Sequence, residues 1–298
     1  MVPQFKKVVI YGVGLLGGSL GMALGRRGMA EKIVGLGRSR KRLERAVTLG
    51  ALHEVTTDME EAMAGADALI SCVPPRNIGR KWNDFATLAE PGIFVTDVGS
   101  VKGSIVADAE AVWGSDHLFV GSHPMAGSEK GSVEAARGDL FEGACCFVTP
   151  SNKTPDGAVT RAVGFWQALG ARVAIMTPQR HDRLIASISH LPHLLAATLV
   201  EALYSRGDSS PLFQTVVGNG FKDTTRIAAG DPALWEQIFS ENSEAVTESI
   251  DDAIELLGQW RELISRRDSS NEIIARLAAI SEQRRSISPE EPGTNDAD

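Results

Sequence analysis

The chain has 298 residues, 43% of them hydrophobic and 23% charged, with a formal net charge of −8. This length is enough for about two domains of ~150 residues, and the acidic balance excludes the broad basic surface that nucleic acids and anionic membranes attract. No apolar run approaches the ~20 residues of a membrane-spanning helix, and the first residues lack the apolar segment of a signal peptide.

The first part of the chain alternates predicted strands with predicted helices. Apolar runs predict strands at Val8–Tyr11, Lys32–Gly37, Ala68–Val73, Ile93–Thr96, Leu118–Val120, Ala144–Val148 and Arg172–Met176. Helices are predicted at Leu15–Arg27, Lys41–Leu49, Asn77–Ala89, Lys102–Trp113 and Ala158–Leu169. Continuous apolar strands that alternate with helices are typical of a parallel sheet covered on both faces. We therefore predict an α/β fold with an N-terminal Rossmann-type, doubly wound parallel sheet.

After Pro178 the strand pattern ends and helical patterns take over. Helices are predicted within His181–Tyr204, Glu244–Ile264 and Asn271–Gln283, where apolar residues recur at helical spacing. The last residues are acidic, contain proline and show no periodicity, which is typical of disorder. The predicted organisation is a dinucleotide-binding domain at 1–177, an all-helical C-terminal domain at 178–285 and a disordered tail at 286–298.

Glycines with the spacing G-x-G-x-x-G follow the first predicted strand. Gly12, Gly14 and Gly17 lie between an apolar run and a predicted helix. In that context the glycines permit a tight turn and a close approach to a pyrophosphate, which the helix N-terminus attracts. A glycine-rich turn with a purely structural role is the alternative.

The residues after the second predicted strand bear on which nicotinamide cofactor binds. NAD-binding folds usually place Asp or Glu there, about 20 residues past the glycines, to bind the ribose 2′-hydroxyl. Here the segment has no carboxylate, and Arg38, Arg40 and Lys41 surround Ser39. Arginine can pair with a 2′-phosphate through two hydrogen bonds, so NADP is favoured over NAD. An ordinary solvated basic loop is the alternative.

Cysteine use indicates the compartment. The chain has three cysteines, Cys72, Cys145 and Cys146. Adjacent cysteines would point to opposite faces of a strand, and an odd number gives no disulfide framework. A reducing, cytoplasmic location is therefore expected.

Polar, chemistry-bearing segments follow the predicted strands and open the helical part. They read DVGSVK at 97–102, HPMAGSEKG at 123–131, HDRLIASISHLPH at 181–193 and GFKDTTRIAAGDPALWEQIFSEN at 220–242. Together with GVGLLGGSL at 12–20, these motifs, in this order, resemble the prephenate/arogenate dehydrogenases of tyrosine biosynthesis. The resemblance spans roughly residues 6–265. From the residues before and after these motifs we expect neither a chorismate mutase segment nor an ACT domain.

The resemblance implies an oxidative decarboxylation of prephenate to 4-hydroxyphenylpyruvate with NAD(P). It implies that His123 is the general base or hydrogen-bond acceptor for the ring hydroxyl, a role that suits a group titrating near neutrality. Ser100 resembles the serine that binds this hydroxyl and orients the histidine. A capped loop histidine is the alternative for His123. An N-cap of the helix after Lys102 is the alternative for Ser100.

The resemblance also implies substrate-binding and cofactor-binding residues. Arg226 matches the arginine that binds a substrate carboxylate, with pairing to Asp223 or Asp231 as the alternative. His193 matches a substrate-side histidine, and His190 lies three residues earlier, although Pro192 requires a kink or a helix start there. Glu129 and Asp223 resemble acidic residues that gate the pocket, and Trp235 is either a pocket wall or a core residue. The predicted cofactor-binding residues are Gly12, Gly14, Leu15, Leu16, Gly17, Arg38, Ser39, Val73, Pro74 and Gly99.

Further expectations complete this interpretation. Asp97 and Lys102 help to hold the loop at Ser100, whereas His181 and Asp182 match a family motif without an assigned role. No metal site is expected, because no cluster has metal-ligand spacing. A homodimer formed through the C-terminal helices follows from the family.

Other functions stay open. Arogenate, which carries an amino acid side chain in place of the keto acid, is the alternative substrate. A β-hydroxyacid dehydrogenase or an imine reductase shares the two-domain plan, but their usual patterns lack the HPMAGSE and SHLPH segments. An NADP-sensing regulator would bind cofactor without turnover, and the set of His123, Ser100 and Arg226 argues against it.

Overall fold

Six parallel strands form the main sheet of the computed structural model, which describes residues 4–114, 117–127, 131–205 and 216–287. The strands are β1 (Phe5–Tyr11), β2 (Ala30–Leu36), β3 (Glu54–Thr56), β4 (Ala68–Ser71), β5 (Phe94–Asp97) and β6 (Leu118–Phe119), in the order β3-β2-β1-β4-β5-β6. The order reverses between β1 and β4, and open α/β sheets bind ligands outside the carboxyl ends of strands at such a point. The predicted Rossmann-type fold is confirmed.

Helices cover both faces of this sheet. They are α1 (Leu15–Arg26), α2 (Arg40–Thr48), α3 (Met59–Met63), α4 (Pro75–Leu88), α5 (Gly103–Glu110) and, further along the chain, α6 (Asp156–Ala168). Successive residues of β1 enter different apolar clusters: Val8 and Ile10 pack with Phe94 and Phe165, whereas Val9 packs with Trp82. This alternation explains the continuous apolar runs, since both faces of each strand are buried.

The last three strands form a separate sheet, which the alternation of strands and helices did not predict. They are β7 (Gly121–Pro124), β8 (Cys145–Thr149) and β9 (Arg172–Ile175). β7 runs antiparallel to β8, with His123 opposite Phe147, whereas β8 and β9 are parallel. The expectation of one parallel sheet is wrong here, because the chain turns at Val120 and β7 leaves the main sheet. This turn places His123 on a buried strand rather than on a loop.

Short elements also escaped the sequence analysis. β3 has three residues and α3 has five, too few for a periodic pattern to be recognised. The start of α3 nevertheless has a local signal, because the Asp58 carboxylate accepts a hydrogen bond from the Glu61 backbone N–H at 3.1 Å. Aspartate is among the preferred N-cap residues.

Every element that the structure describes after β9 is helical. Its elements are α7 (Pro178–Ile185), a π-helical turn (Ala186–His190), α8 (Leu191–Ser205), α9 (Asn219–Thr225), a 3₁₀ turn (Arg226–Ala229), α10 (Pro232–Glu241), α11 (Ser243–Ser265) and α12 (Ser270–Ile287). Thr177 and Asp231 cap α7 and α10, each followed by proline at the first helical position, where its missing N–H costs nothing.

The π-helical turn lies just before Pro192. Proline has no backbone N–H to donate to the preceding turn, and α8 begins at Leu191, directly after the π-helical turn and one residue before Pro192. By length and mean hydropathy alone, Pro178–Ser205 is also apolar enough to cross a membrane. It carries the buried side chains of His181, Asp182, His190 and His193, which form part of the polar cluster described below.

Contacts divide the chain into two compact units, residues 1–246 and 247–298. The first contains both sheets and the helices as far as α10. In the second, Arg266 pairs with Glu272, and the Arg276 guanidinium lies 4.4 Å from the centre of the Trp260 ring. The predicted domain boundary at residue 177 stays a prediction. Helix α12 extends to Ile287, two residues into the predicted tail, and the rest of that tail lies outside the described residues.

Candidate active site

The glycine loop between β1 and α1 has the shape that a pyrophosphate requires. Gly12 has φ +92°, and a Cβ added there would lie 2.6 Å from Cγ1 of Val73. A Cβ at Gly17 would overlap the Gly12 carbonyl oxygen, and one at Gly14 would lie 2.8 Å from the Gly131 carbonyl oxygen. Side chains at these positions would collide with neighbouring parts of the protein itself, so the tight turn and the close packing of the strand against the helix require glycine here.

Polar groups around this loop also fit a dinucleotide. Gly14 begins α1 without a side-chain cap, and no acidic residue lies in the first turn. The Leu15 backbone N–H donates to the Gly131 carbonyl at 3.1 Å, which brings the segment after His123 against the glycine loop. At the end of neighbouring β4, the Ser71 hydroxyl is buried with no hydrogen-bond partner in the structure. A helix N-terminus without a side-chain cap favours an anion.

The segment after β2 is cationic. Arg38 is exposed and makes no ion pair with a residue that the structure describes, whereas Arg40 pairs with Glu44 at 3.1 Å. Ser39 is the N-cap of α2, and its hydroxyl makes no capping hydrogen bond. Arg38 and Ser39 are therefore available to a ligand at the end of β2.

A buried ion pair fixes the loop after β5. Asp97 and Lys102 are both fully buried and pair with each other. Asp97 also accepts the backbone N–H groups of Gly99 at 2.8 Å and Ser122 at 3.2 Å, while the Lys102 ammonium donates to the Ser122 carbonyl at 2.8 Å. Together these bonds connect the loop that carries Ser100 with the start of β7, next to His123.

Two histidines and an aspartate form a hydrogen-bonded chain from β7 to α7. Nδ1 of His123 lies 2.9 Å from Nε2 of His181, and Nδ1 of His181 lies 2.7 Å from Oδ1 of Asp182. The Phe147 ring packs edge-on against His181. His123 and Asp182 are each 8% exposed, and His181 is fully buried. The predicted base therefore forms one end of this chain and Asp182 the other.

Asp182 also caps helix α5 from another part of the chain. Its Oδ1 accepts the Lys102 backbone N–H at 2.8 Å, and its Oδ2 accepts the Gly103 N–H at 2.7 Å. The residue at the N-cap position is Lys102, and its side chain makes no capping bond. The alternative role of Ser100 as the N-cap of this helix is therefore wrong. Ser100 is partly exposed, which leaves it accessible to a ligand.

Asn242 connects the aspartate to a further histidine. Its side-chain amide donates to the Asp182 backbone carbonyl at 2.9 Å and lies 3.2 Å from Nδ1 of His190. His190 is only 1% exposed, and its other ring nitrogen, Nε2, has no hydrogen-bond partner in the structure. A buried nitrogen of this kind costs free energy unless a ligand or water satisfies it.

His193 and Trp235 form a second aromatic group beside His190. The rings of His193 and Trp235 stack, and His190 meets Trp235 edge-on with centroids 6.1 Å apart. A Cβ at Gly230 would lie 2.5 Å from Nε1 of the tryptophan and 3.1 Å from the His193 ring. Nδ1 of His193 is buried without a partner in the structure. Trp235 is only half-buried, so it is not simply a core residue.

Burial keeps the histidines of this cluster neutral. Loss of hydration lowers the pKa of His123 well below its usual value, and neighbouring His181, Lys102 and His190 lower it further. Burial likewise lowers the pKa of His181, against the opposing effect of Asp182. It lowers the pKa of His190 to about 4 and that of His193 in the same direction. Neutral imidazole is the form that accepts a proton.

The structure does not bring every predicted site residue to this cluster. Arg226 and Asp223 are exposed, and none of the ion pairs in the described part of the chain joins Arg226 to Asp223 or Asp231. Asp231 instead accepts the Ala233 N–H as a helix cap. Glu129 lies outside the described residues. Among the residues with described positions, no group of His, Cys, Asp and Glu could hold a metal ion.

Sequence reasoning missed the roles of three residues of the cluster. His181 and Asp182 stood in a recognised motif, but their partners lie about 60 to 80 residues earlier. Asn242 had no local signal, because a single asparagine at a helix end is usually a cap or a surface residue. The signal that sequence offered for these roles was the presence of several histidines and an aspartate in the one segment 181–193.

Comparison with known proteins gives two family matches. Residues 20–175 match the family described as prephenate dehydrogenase, nucleotide-binding domain, and residues 177–279 match prephenate dehydrogenase, dimerization domain. Among curated proteins, prephenate dehydrogenase of Bacillus subtilis is 32% identical over 89% of this chain and 71% of its own length. Cyclohexadienyl dehydrogenase of Zymomonas mobilis is 31% identical over 89% of this chain and 90% of its own length.

A solved structure gives the same result. Prephenate dehydrogenase from A. aeolicus, in complex with hydroxyphenyl propionate and NAD+, is 35% identical and superposes with a TM-score of 0.88. The match covers 95% of this chain and 98% of that chain.

Proposed function

The chain belongs to the prephenate dehydrogenase family, and from this membership and the surroundings of His123 we propose that it oxidatively decarboxylates prephenate to 4-hydroxyphenylpyruvate. The observation that carries the proposal is the buried imidazole of His123, which is hydrogen-bonded to His181 and lies beside the loop of Ser100, near the carboxyl ends of the strands. When bound, the nicotinamide accepts the hydride from the ring carbon that bears the hydroxyl group.

His123 accepts the hydroxyl proton in this proposal. Its burial favours the neutral base, and its Nδ1 is engaged with His181, so Nε2 is the nitrogen that accepts the hydroxyl proton. Ser100 binds the same hydroxyl and fixes its direction. The ring ketone that forms is a vinylogous β-keto acid, so the ring carboxylate leaves as CO2 and the ring becomes aromatic.

The helical part supplies the substrate-binding groups. Arg226 binds a substrate carboxylate, a task that suits its planar guanidinium, and its exposed side chain is not committed to Asp223 or Asp231. Asp223 and Glu129 gate the pocket. His190, His193 and Trp235 form one wall, and the unpartnered ring nitrogens of the two histidines meet the polar groups of the substrate.

We further propose that NADP is the preferred cofactor. Gly12, Gly14, Leu15, Leu16 and Gly17 bind the pyrophosphate, with Val73, Pro74 and Gly99 along the carboxyl ends of β4 and β5. Arg38 and Ser39 bind the 2′-phosphate. The segment after β2 lacks the carboxylate that would bind the 2′-hydroxyl of NAD, and Arg38 has no ion-pair partner among described residues. The A. aeolicus relative was solved with NAD+, so a comparison of the two cofactors is decisive.

The enzyme acts as a cytoplasmic homodimer in this proposal. The C-terminal match is to a dimerization domain, and α11 and α12 expose large apolar side chains. These include Ile254, Leu257, Ile264, Ile274 and Leu277. Light scattering of the purified chain tests the assembly, and a monomer at micromolar concentration contradicts it.

The proposed activity is tested by reduced-nicotinamide formation with prephenate or arogenate and with NADP or NAD, together with CO2 release. We expect the highest kcat/KM with prephenate and NADP. Preference for arogenate, which a relative named cyclohexadienyl dehydrogenase makes the second candidate, would correct the substrate only. Cofactor binding without turnover of either substrate would favour the sensor alternative.

The cofactor preference is tested by substitution of Arg38. Arg38→Ala should weaken NADP binding and leave NAD binding unchanged. Arg40→Ala is the matched control, because Arg40 already pairs with Glu44.

A further inference from the structure

The hydrogen-bonded chain of His123, His181 and Asp182 has a direction that the chemistry of its members fixes. Asp182 receives backbone N–H groups on both carboxylate oxygens, from Lys102 and Gly103. Because each of the two oxygens accepts a hydrogen bond, we take Asp182 as an ionised carboxylate, which has no proton to donate. The proton between Asp182 and His181 therefore resides on Nδ1 of His181.

That assignment determines the next hydrogen bond. A neutral imidazole carries one proton, so His181 with its proton on Nδ1 presents a bare Nε2. The partner of this Nε2 is Nδ1 of His123, 2.9 Å away, and only a donor makes a hydrogen bond there. His123 thus carries its own proton on Nδ1 and has a free lone pair on Nε2.

We propose that Asp182 and His181 are positioning residues that hold His123 in the Nδ1–H tautomer and so leave Nε2 free to accept the substrate hydroxyl proton. This inference rests on the proposed function for its catalytic consequence, whereas the tautomer itself does not depend on the substrate. In the reaction the hydroxyl proton moves to Nε2, the O–H electron pair forms the carbonyl bond, and the hydride leaves for NAD(P)+. His123 becomes an imidazolium that still donates from Nδ1 to His181.

The same aspartate also holds the loop that carries Ser100. Because Asp182 caps the two N–H groups that follow the loop of Ser100, it fixes this loop and the histidine tautomer at once. Asn242 holds the Asp182 backbone from the other side through its carbonyl. A single carboxylate therefore aligns the base on β7 and the hydroxyl-binding serine in the loop after β5.

Three variants test the inference. Asp182→Asn presents an N–H group where a carboxylate oxygen accepted, which favours the opposite tautomer of His181 and then of His123. His181→Phe removes the acceptor for His123 without touching the cap of α5. His181→Gln is the matched control, since its amide can accept from His123 and donate to Asp182 at the same time.

We expect kcat to fall at least ~100-fold in Asp182→Asn and His181→Phe, the lower end of what a positioned base contributes, with KM for prephenate and Kd for NADP nearly unchanged. His181→Gln should recover most of the lost rate. Equal losses in His181→Phe and His181→Gln, or full activity in His181→Phe, would overturn the inference. If Asp182→Asn does not fold, the pair at position 181 decides the matter alone.

The tautomer is measured independently of turnover. In the whole chain labelled with ¹⁵N-histidine, long-range ¹H–¹⁵N correlation spectra distinguish protonated from bare ring nitrogens, and the His123→Gln spectrum assigns the signals. We expect His123 protonated on Nδ1 and bare on Nε2 at neutral pH. The opposite tautomer refutes the inference whether or not the enzyme turns over prephenate. The expected tautomer in an enzyme without turnover would instead refute the proposed function.

Discussion

The imidazole of His193 lies parallel to the indole of Trp235, with ring centroids 3.5 Å apart and planes inclined by 13°. The stack closes one side of the histidine cluster, and Gly230 lies directly against both rings. A bulkier residue at 230 has no room there, so the turn from the 3₁₀ segment into α10 and the stack depend on each other.

Trp235→Ala should raise KM for prephenate several-fold, because it removes the ring that holds His193 in the wall of the proposed site. Trp235→Phe retains a stacking face and should remain closer to the parent enzyme. Steady-state kinetics with prephenate as the varied substrate measure both. An unchanged KM in Trp235→Ala would show that the stack does not border the bound substrate.

Removal of the proposed base should affect chemistry and leave cofactor binding intact. His123→Asn is expected to lower kcat by ~10²–10⁴-fold, the usual contribution of a positioned general base. The Kd for NADP should be unchanged, as measured by quenching of tryptophan fluorescence. Full turnover in this variant would assign the base elsewhere.

Arg226→Ala should raise KM for prephenate more than it lowers kcat, because a carboxylate clamp binds ground state and transition state alike. Arg226→Lys should not restore the parent KM, since an ammonium cannot form the paired hydrogen bonds of a guanidinium. Arg226 has no described ion pair, so the Ala variant should unfold at the same urea concentration as the parent. An equal KM in all three proteins would remove Arg226 from the substrate site.

The buried pair of Asp97 and Lys102 should make a large contribution to stability when only one partner is removed. Asp97→Asn or Lys102→Met is expected to cost ~3–5 kcal/mol of unfolding free energy, because the remaining charge stays buried without its partner. The double variant should cost less than the sum of the two. Urea denaturation of the four proteins measures this coupling, and simple additivity would contradict it.

Acidification should destabilise the fold through His190. Burial lowers its pKa from 6.5 to about 4. Between these two pH values the unfolded chain binds a proton at His190 that the folded chain does not bind. Stability is therefore complete above pH 6.5 and is lost as the pH falls towards 4, by roughly 3 kcal/mol for this group alone. His190→Asn, which keeps an acceptor for Asn242, should show a shallower decline. Parallel pH profiles of unfolding free energy for the two proteins would contradict this assignment.

The glycine loop, the alternation of strands and helices and the change to helices after Pro178 were predictable from sequence. Each of these depends on residues within about one helical turn or one strand length, and local periodicity expresses such preferences directly. The motif around His123 predicted it as a site residue, which stays a prediction, and the family matches confirmed the resemblance that the motifs indicated.

By itself, the sequence determined the parallel sheet, the dinucleotide loop and the set of residue types available for chemistry. Only the tertiary structure decided that β7 leaves the main sheet, that Asp182 caps α5 across 79 residues to Gly103, and that His123 meets His181 across 58 residues. The physical reason lies in what each feature depends on. Backbone preferences act between neighbours in the chain, whereas a hydrogen bond between buried side chains depends on packing that brings distant segments together, and no periodic pattern encodes it.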